Sequence, residues 1–257
     1  MLTSSRCVCI NLDRRTDRWQ SVTRRFSELG LEVARVSALE GLPTRPGPLS
    51  RGEQSLVATN LRILEDAPLD RPLCVFEDDV RFLAERRPLA VVAAVEAELP
   101  ARWGLLFLGA HLFGRAVRHP QVSPHLVRLV ASPRDDHVYL GGTQAVVYHP
   151  SAIALIRSIP ESVVFAQPWD VFLSRAIVPA LRCFLANPAF AFQIEDYSDL
   201  VGAWTKRRRF IRANERRILR GVYSRTALGR WFAALTGAAA VQRRAQIDSG
   251  VRVPPVP

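Results

Sequence analysis

Lysine is almost missing from this chain: Lys206 is the one lysine among 35 Lys and Arg residues. The formal net charge of +11 is therefore an arginine charge. With the many alanines it reads as the imprint of a GC-rich bacterial genome, so part of the basicity asks for no functional explanation. Long apolar runs are missing too. Arg, Asp or Glu interrupts every apolar stretch well before the roughly 18 residues that a membrane-spanning helix needs. The opening MLTSSRCVCINLDRR carries only a short apolar segment before charges return, unlike a secretory signal, so a cytoplasmic protein is expected. Cysteine is scarce, and Cys7, Cys9, Cys74 and Cys183 lack the paired spacing and further ligands of a zinc site, so buried, reduced thiols are expected. No internal repeat is visible.

What is present is a chain of 257 residues, 48% hydrophobic, long enough for one large α/β domain with an appended segment. Cys7 to Leu12 reads as a first strand. Trp19, Val22, Phe26 and Leu29 then recur at helical spacing, with Gly30 as a stop. Leu31 to Val36 reads as a strand, the stretch from Gly41 to Pro48 as a Pro-rich loop, and Gly52 to Ala67 as a helix. Leu73 to Phe76 and Trp103 to Leu108 read as buried strands, with a helix from Pro88 to Leu99 between them. Beyond an irregular stretch from Gly109 to Asp136, an extended segment from Val138 to Tyr148 is broken at Gly141 and Gly142. A short helix from Pro150, a helix from Asp170 to Ile177 and an extended run from Leu181 to Leu185 follow. The alternation predicts a mostly parallel sheet flanked by helices.

The stretch LCVFEDDV, Leu73 to Val80, sets an apolar run against three consecutive carboxylates. In an extended chain Glu77 and Asp79 would point one way and Asp78 the other. Two converging carboxylates repel unless a cation lies between them. Mg²⁺ or Mn²⁺ suits such oxygen ligands, with phosphate oxygens and water completing the shell. The plain alternative is that the acids solvate a strand end or pair with arginines. Ligands of open α/β sheets gather at strand ends, which favours the functional reading.

Six short segments, in order, resemble glycosyltransferase family 25, the bacterial lipopolysaccharide glycosyltransferases related to collagen galactosyltransferases. They are CINLDRRTDRW, SRGEQSLVATNLRILEDA, VFEDDV, YLGGTQAVVYHPSAIALI, QPWDVFL and PAFAFQIEDYSDL, spanning about Arg6 to Leu200. The resemblance implies a GT-A-like nucleotide-sugar-binding domain over residues 1–203, followed by an Arg-rich helical extension and Pro-rich tail over 204–257. It implies transfer of a hexose, galactose or glucose, from a nucleotide sugar (UDP-hexose first) to a lipopolysaccharide or other surface glycan, with inversion.

Matched by position, Glu77, Asp78 and Asp79 form the acidic motif, with Asp79 and then Glu77 as the expected ligands of Mn²⁺ or Mg²⁺. Asn11, Arg18, Thr59 and Asn60 fall at donor-binding positions, Arg14 joins them as a second guanidinium just past the first strand that could meet the diphosphate, and Gly142, Thr143, Ser198 and Asp199 fall at acceptor-binding positions. Each has a plainer reading as a turn former, helix-start residue, bulge or cap. Asp170 is the expected general base, an ordinary helix cap being the alternative; Glu53, near a helix start, stands in reserve. One departure matters. Where the family has Ser-His this chain has Thr59-Asn60, and an amide cannot take up a proton near neutral pH. A catalytically weakened relative that binds a glycan or partner is therefore the competing reading.

Between Lys206 and Arg230 lie ten basic residues and one acid, with Phe210, Ile211, Ile218, Leu219 and Val222 interspersed. That basic amphipathic pattern suits an anionic membrane surface, such as the inner face of the inner membrane, or a solvated helix equally. Nucleic acid is the weakest candidate partner, since no base-reading motif accompanies the charge.

Overall fold

A computed structural model of the chain describes residues 5–82, 88–112, 120–131, 140–187, 189–193, 197–198 and 203–204. The first half runs β1 (Arg6–Asn11), α1 (Thr16–Glu28), β2 (Ala34–Ser37), α2 (Arg51–Glu65), β3 (Leu73–Glu77), β4 (Val80–Phe82) and α3 (Pro88–Glu98). Next come β5 (Leu105–Phe107), β6 (His111–Leu112), β7 (Gln121–Ser123), β8 (Leu126–Arg128), β9 (Leu140–Gly141) and β10 (Ala145–Tyr148). The remainder holds α4 (Pro150–Ser158), α5 (Glu161–Val164), α6 (Trp169–Phe172), a π-helical turn (Leu173–Ile177) and α7 (Val178–Ala180). It then continues through β11 (Phe184–Ala186), β12 (Ala191–Gln193), β13 (Tyr197–Ser198) and β14 (Ala203–Trp204). The Arg-rich extension past Trp204, and with it the expected helix there, lies outside the described residues.

One sheet of eight strands organises these elements, in the order β2-β1-β3-β10-β5-β11-β8-β7. All but β10 and β8 run in the same direction, so the expected mostly parallel, helix-flanked α/β sheet is the observed one. Its buried strands sort their side chains by alternation. Val8 and Ile10 of β1, Leu73 and Val75 of β3 and Leu105 and Phe107 of β5 join one core. Val57, Ile63 and Leu64 of α2, Ala152, Ile153 and Ile156 of α4, and Trp169 and Phe172 of α6 cover it. The intervening residues Cys7, Cys9, Cys74, Phe76 and Leu106 face the other core, under Val22 and Phe26 of α1 and Val92 and Val95 of α3. The four cysteines are buried and unbridged, as expected.

The order β2-β1-β3 has a consequence for ligand binding. From β1 the chain crosses over α1 to β2 on one side, then over α2 to β3 on the other. The two helices therefore lie on opposite faces and diverge at the carboxyl ends of β1 and β3. That is the topological switch point of an open α/β sheet, where a crevice forms.

Local sequence fixes the elements bounding this crevice. The α1 helix ends in a Schellman arrangement: Gly30, with φ +66°, donates to Ser27, and buried Leu31 donates to Phe26. Ser50 caps α2 in a reciprocal box with Glu53. At the far wall, the amides of Phe190 and Ala191 both donate to the Leu108 carbonyl (2.6 and 2.9 Å). A Cβ on Gly109 would lie 1.6 Å from the Ala191 carbonyl oxygen, so only glycine allows this approach. The approach delivers β12 to its antiparallel partner β4, setting Gln193 opposite Val80.

Candidate functional site

The chain turns at Asp78 and Asp79, so extended geometry stops at Glu77 and the three acids leave in different directions. Asp78 goes toward α1. Its Oδ2 accepts from Asn11 Nδ2 (2.6 Å) and its Oδ1 from Arg18 Nη1 (3.0 Å). Both side chains of the ion pair are largely buried, at 11% exposed for Arg18 and 9% for Asp78. Asn11 is oriented in turn by Arg35, whose Nε donates to Asn11 Oδ1 (2.9 Å) while its guanidinium lies over the Trp19 ring. Burial pushes the Asp78 carboxyl above its ordinary range, and the Arg18 charge and the Asn11 and Arg18 hydrogen bonds pull it back.

Glu77 goes the other way. Its Oε1 accepts from Thr143 Oγ1 (2.5 Å), and its backbone amide donates to Gln144 O. Burial first, then the Asp79 charge, push the Glu77 carboxyl up to about 8; the Thr143 hydroxyl opposes the rise, and Asp170 and Asp78 add to it. Asp170 opens α6, where its Oδ2 accepts from the amide of Gly142 (3.0 Å) and its Oδ1 from that of Val171 (2.9 Å). Gly142, at φ +83°, and Thr143 thus form a two-residue bridge that holds Asp170 and Glu77 on one side of the crevice. Asp79 is tied to the far wall, its Oδ2 accepting from Gln193 Nε2 (2.7 Å).

Glu77, Asp78, Asp79, Asn11, Arg18, Gly142, Thr143 and Asp170 are therefore brought together. Other expected site residues have local duties. Arg14 pairs with Glu40 in solvent. Glu53 holds the α2 cap, its Oε2 accepting from the Ser50 amide and hydroxyl. Thr59 donates to Ser55 O and accepts from the Leu39 amide, and Asn60 donates to Leu56 O, both within or beside α2. Ser198 lies in β13, and Asp199 lies outside the described residues.

Arg35 and Gln193 escape the sequence reading. Gln193 is the glutamine of the PAFAFQIEDYSDL segment, so the signal was there. Arg35 follows from no motif and is found only through the pairing of Cys9 with Arg35 across β1 and β2.

Among the described residues no group of three or more His, Cys, Asp or Glu is arranged to hold a metal ion. A site of one or two carboxylates, the kind Mg²⁺ commonly uses, fits better. Burial first, and then the Asp79 charge, raise the Glu77 carboxyl, and the part owed to Asp79 is the repulsion a divalent cation relieves. No helix among the described residues is long and apolar enough to cross a membrane.

No family model matches the chain, and no curated protein matches it. Among solved structures it is similar to a glycosyltransferase involved in the glycosylation of the major capsid of PBCV-1. That likeness has 9% identity and a TM-score of 0.41, covering 71% of this chain and 82% of the other. It is also similar to the nucleoside-diphosphate-sugar pyrophosphorylase from Vibrio cholerae RC9, at 13% identity and a TM-score of 0.34, over 72% and 73% of the two chains. At scores this low neither likeness assigns an activity to this chain.

Proposed function

We propose that this protein is a glycosyltransferase that moves a hexose from a nucleotide sugar, a UDP-hexose first, to a hydroxyl of a surface glycan or glycolipid such as lipopolysaccharide. The observation that carries the reading is the placement of the acidic turn in the crevice between the carboxyl ends of β1 and β3, with Asp170 tethered beside it. The resemblance of the six sequence segments to family 25 supports it and suggests the GT-A form of the domain.

In this reading Asp79, with Glu77, would hold Mn²⁺ or Mg²⁺. When bound, such an ion neutralises charge on the departing nucleoside diphosphate. The chain's own residues do the rest. Asp78 fixes Arg18 and Asn11 along the donor side of the crevice, where a guanidinium can meet phosphate oxygens. Asp170 takes the proton of the acceptor hydroxyl as it attacks the anomeric carbon. The backbone amides of Gly142 and Val171 donate to the Asp170 carboxylate and fix its orientation beside the acidic turn. Gly142 and Thr143 present backbone and hydroxyl to the acceptor.

The test is a screen of nucleotide sugars for Mn²⁺-dependent transfer or hydrolysis. Asp79→Asn and Asp170→Asn should each lower the rate by roughly 100-fold or more. A full-rate Asp79→Asn protein refutes the assignment of that residue. Donor binding without turnover, for every sugar, would select the second reading, a non-catalytic binding relative. Its supporting observation is Asn60, a buried amide bonded inside its own helix where the family has a titratable imidazole.

A further inference from the structure

On the α1 side of the acidic turn, opposite the face that carries Asp170, lies a cavity of about 140 Å³. Asp17, Arg18, Ser21 and Arg25 of α1 form one wall, and Asp78, Asp79 and Arg81 form the other. Positions 18, 21 and 25 are three and seven apart, so they share a helix face. The carboxylates of this cavity have donors. Asp17 takes a fork from Arg15 (3.0 and 2.9 Å), Asp78 takes Asn11 and Arg18, and Asp79 takes Gln193. Arg25 is different. Its Nη2 donates to the neutral hydroxyl of Ser21 (2.8 Å), and among the described residues it forms no ion pair.

We infer that this cavity is a phosphoryl-binding pocket in which Arg25, steered by Ser21, is the anchoring cation, with Arg18 and Arg81 beside it. A guanidinium offers five N–H donors in a planar fork, and the Ser21 contact uses one. The group that matches several guanidinium forks in a small polar cavity is a tetrahedral phosphoryl. The carboxylates on the walls admit one such group but repel an extended polyanion, which sets the pocket apart from a nucleic-acid surface. The phosphoryl can belong to a nucleoside diphosphate or to a phosphorylated sugar. The inference stands on these contacts and does not require the glycosyl transfer proposed above.

The experiment titrates inorganic pyrophosphate, UDP and a hexose 6-phosphate into the full chain in the presence of a chelator, followed by calorimetry. Wild type is compared with Arg25→Gln and Arg25→Lys. The basic segment from Lys206 to Arg230 is present in every variant, so only differences between variants are read. Pyrophosphate should bind wild type saturably, Arg25→Gln should weaken it roughly tenfold or more, and Arg25→Lys should fall between, because a point charge replaces a fork. An equal weakening for UDP makes the phosphoryl that of a nucleotide. A weakening for the hexose phosphate with UDP unaffected makes it that of a sugar ligand, and both results support the pocket. Equal pyrophosphate affinity in wild type and Arg25→Gln, with unchanged thermal midpoints, overturns it. Asp170→Asn, on the opposite face and outside this cavity, separates the two proposals, since it should lower transfer roughly 100-fold or more and leave metal-free pyrophosphate binding as in wild type.

Discussion

Glu77 and Asp78 are consecutive carboxylates, yet one faces oxygen and the other faces cations. Asp78 meets a guanidinium and a side-chain amide, and its burial is offset by them. Glu77 meets one hydroxyl, and its nearest charges are the carboxylates of Asp79, Asp170 and Asp78. The strand pleat and the turn that follows produce the difference, because they send neighbouring side chains to opposite faces of the sheet. The α1 face is thereby prepared to keep a negative charge. The α6 face is prepared to keep a proton or to welcome a cation.

Breaking the Asp78 side should have the largest effect on stability. Asp78→Ala leaves a mostly buried guanidinium and amide without their acceptor, and denaturant unfolding should show a loss of about 3 kcal/mol or more.

Glu77→Gln should act in the opposite sense. The folded carboxyl titrates near 8 and an unfolded one near 4.5, so the folded state holds the proton more tightly between those values. Stability should therefore fall as pH rises from about 4.5 to 8, and the glutamine variant should lose that slope. At pH 8.5 it should be more stable than wild type by on the order of 2 kcal/mol, a figure reduced for the half-buried position. An unchanged slope would break the contrast between the two acids.

Thr143→Val sharpens the same contrast. Removing the hydroxyl that favours the charged carboxylate should move the Glu77 titration higher, seen by carboxyl NMR, at a cost of about 1 kcal/mol. Arg14→Ala, which removes a solvent-exposed pair with Glu40, should change the unfolding free energy by less than about 0.5 kcal/mol.

The features legible in the sequence are those with a local cause. The strand from Cys7, the helix around Trp19 to Leu29 with its Gly30 stop, and the apolar run before the acids are all found nearly where periodicity puts them. The break at Gly142 is visible as a glycine pair and real as a positive φ. Leu31 is apolar and reads as strand, but it anchors the end of α1, so β2 begins only at Ala34. The hairpin of β7 and β8 is hidden by its short strands and by Pro124 and His125 between them. The reversed direction of β10 has no local signature, because alternation reports burial and not strand sense.

For the site, the acidic turn and Asp170 are legible as residues, but the Gly142–Thr143 bridge between them is a tertiary fact. Glu53 shows the converse. A capping box explains an acid at that position without chemistry, and the Ser50-x-x-Glu53 spacing carried that information from the start.

The bond from Gln193 to Asp79 joins residues 114 positions apart, and β12 lies in the chain beyond β11, the strand that pairs with β5. As the chain emerges from a ribosome, the acidic turn is made early and receives its last support late. Contacts of such sequence separation form slowly. The crevice should therefore mature after the sheet that frames it, which delays binding competence until nearly the whole domain has been synthesised.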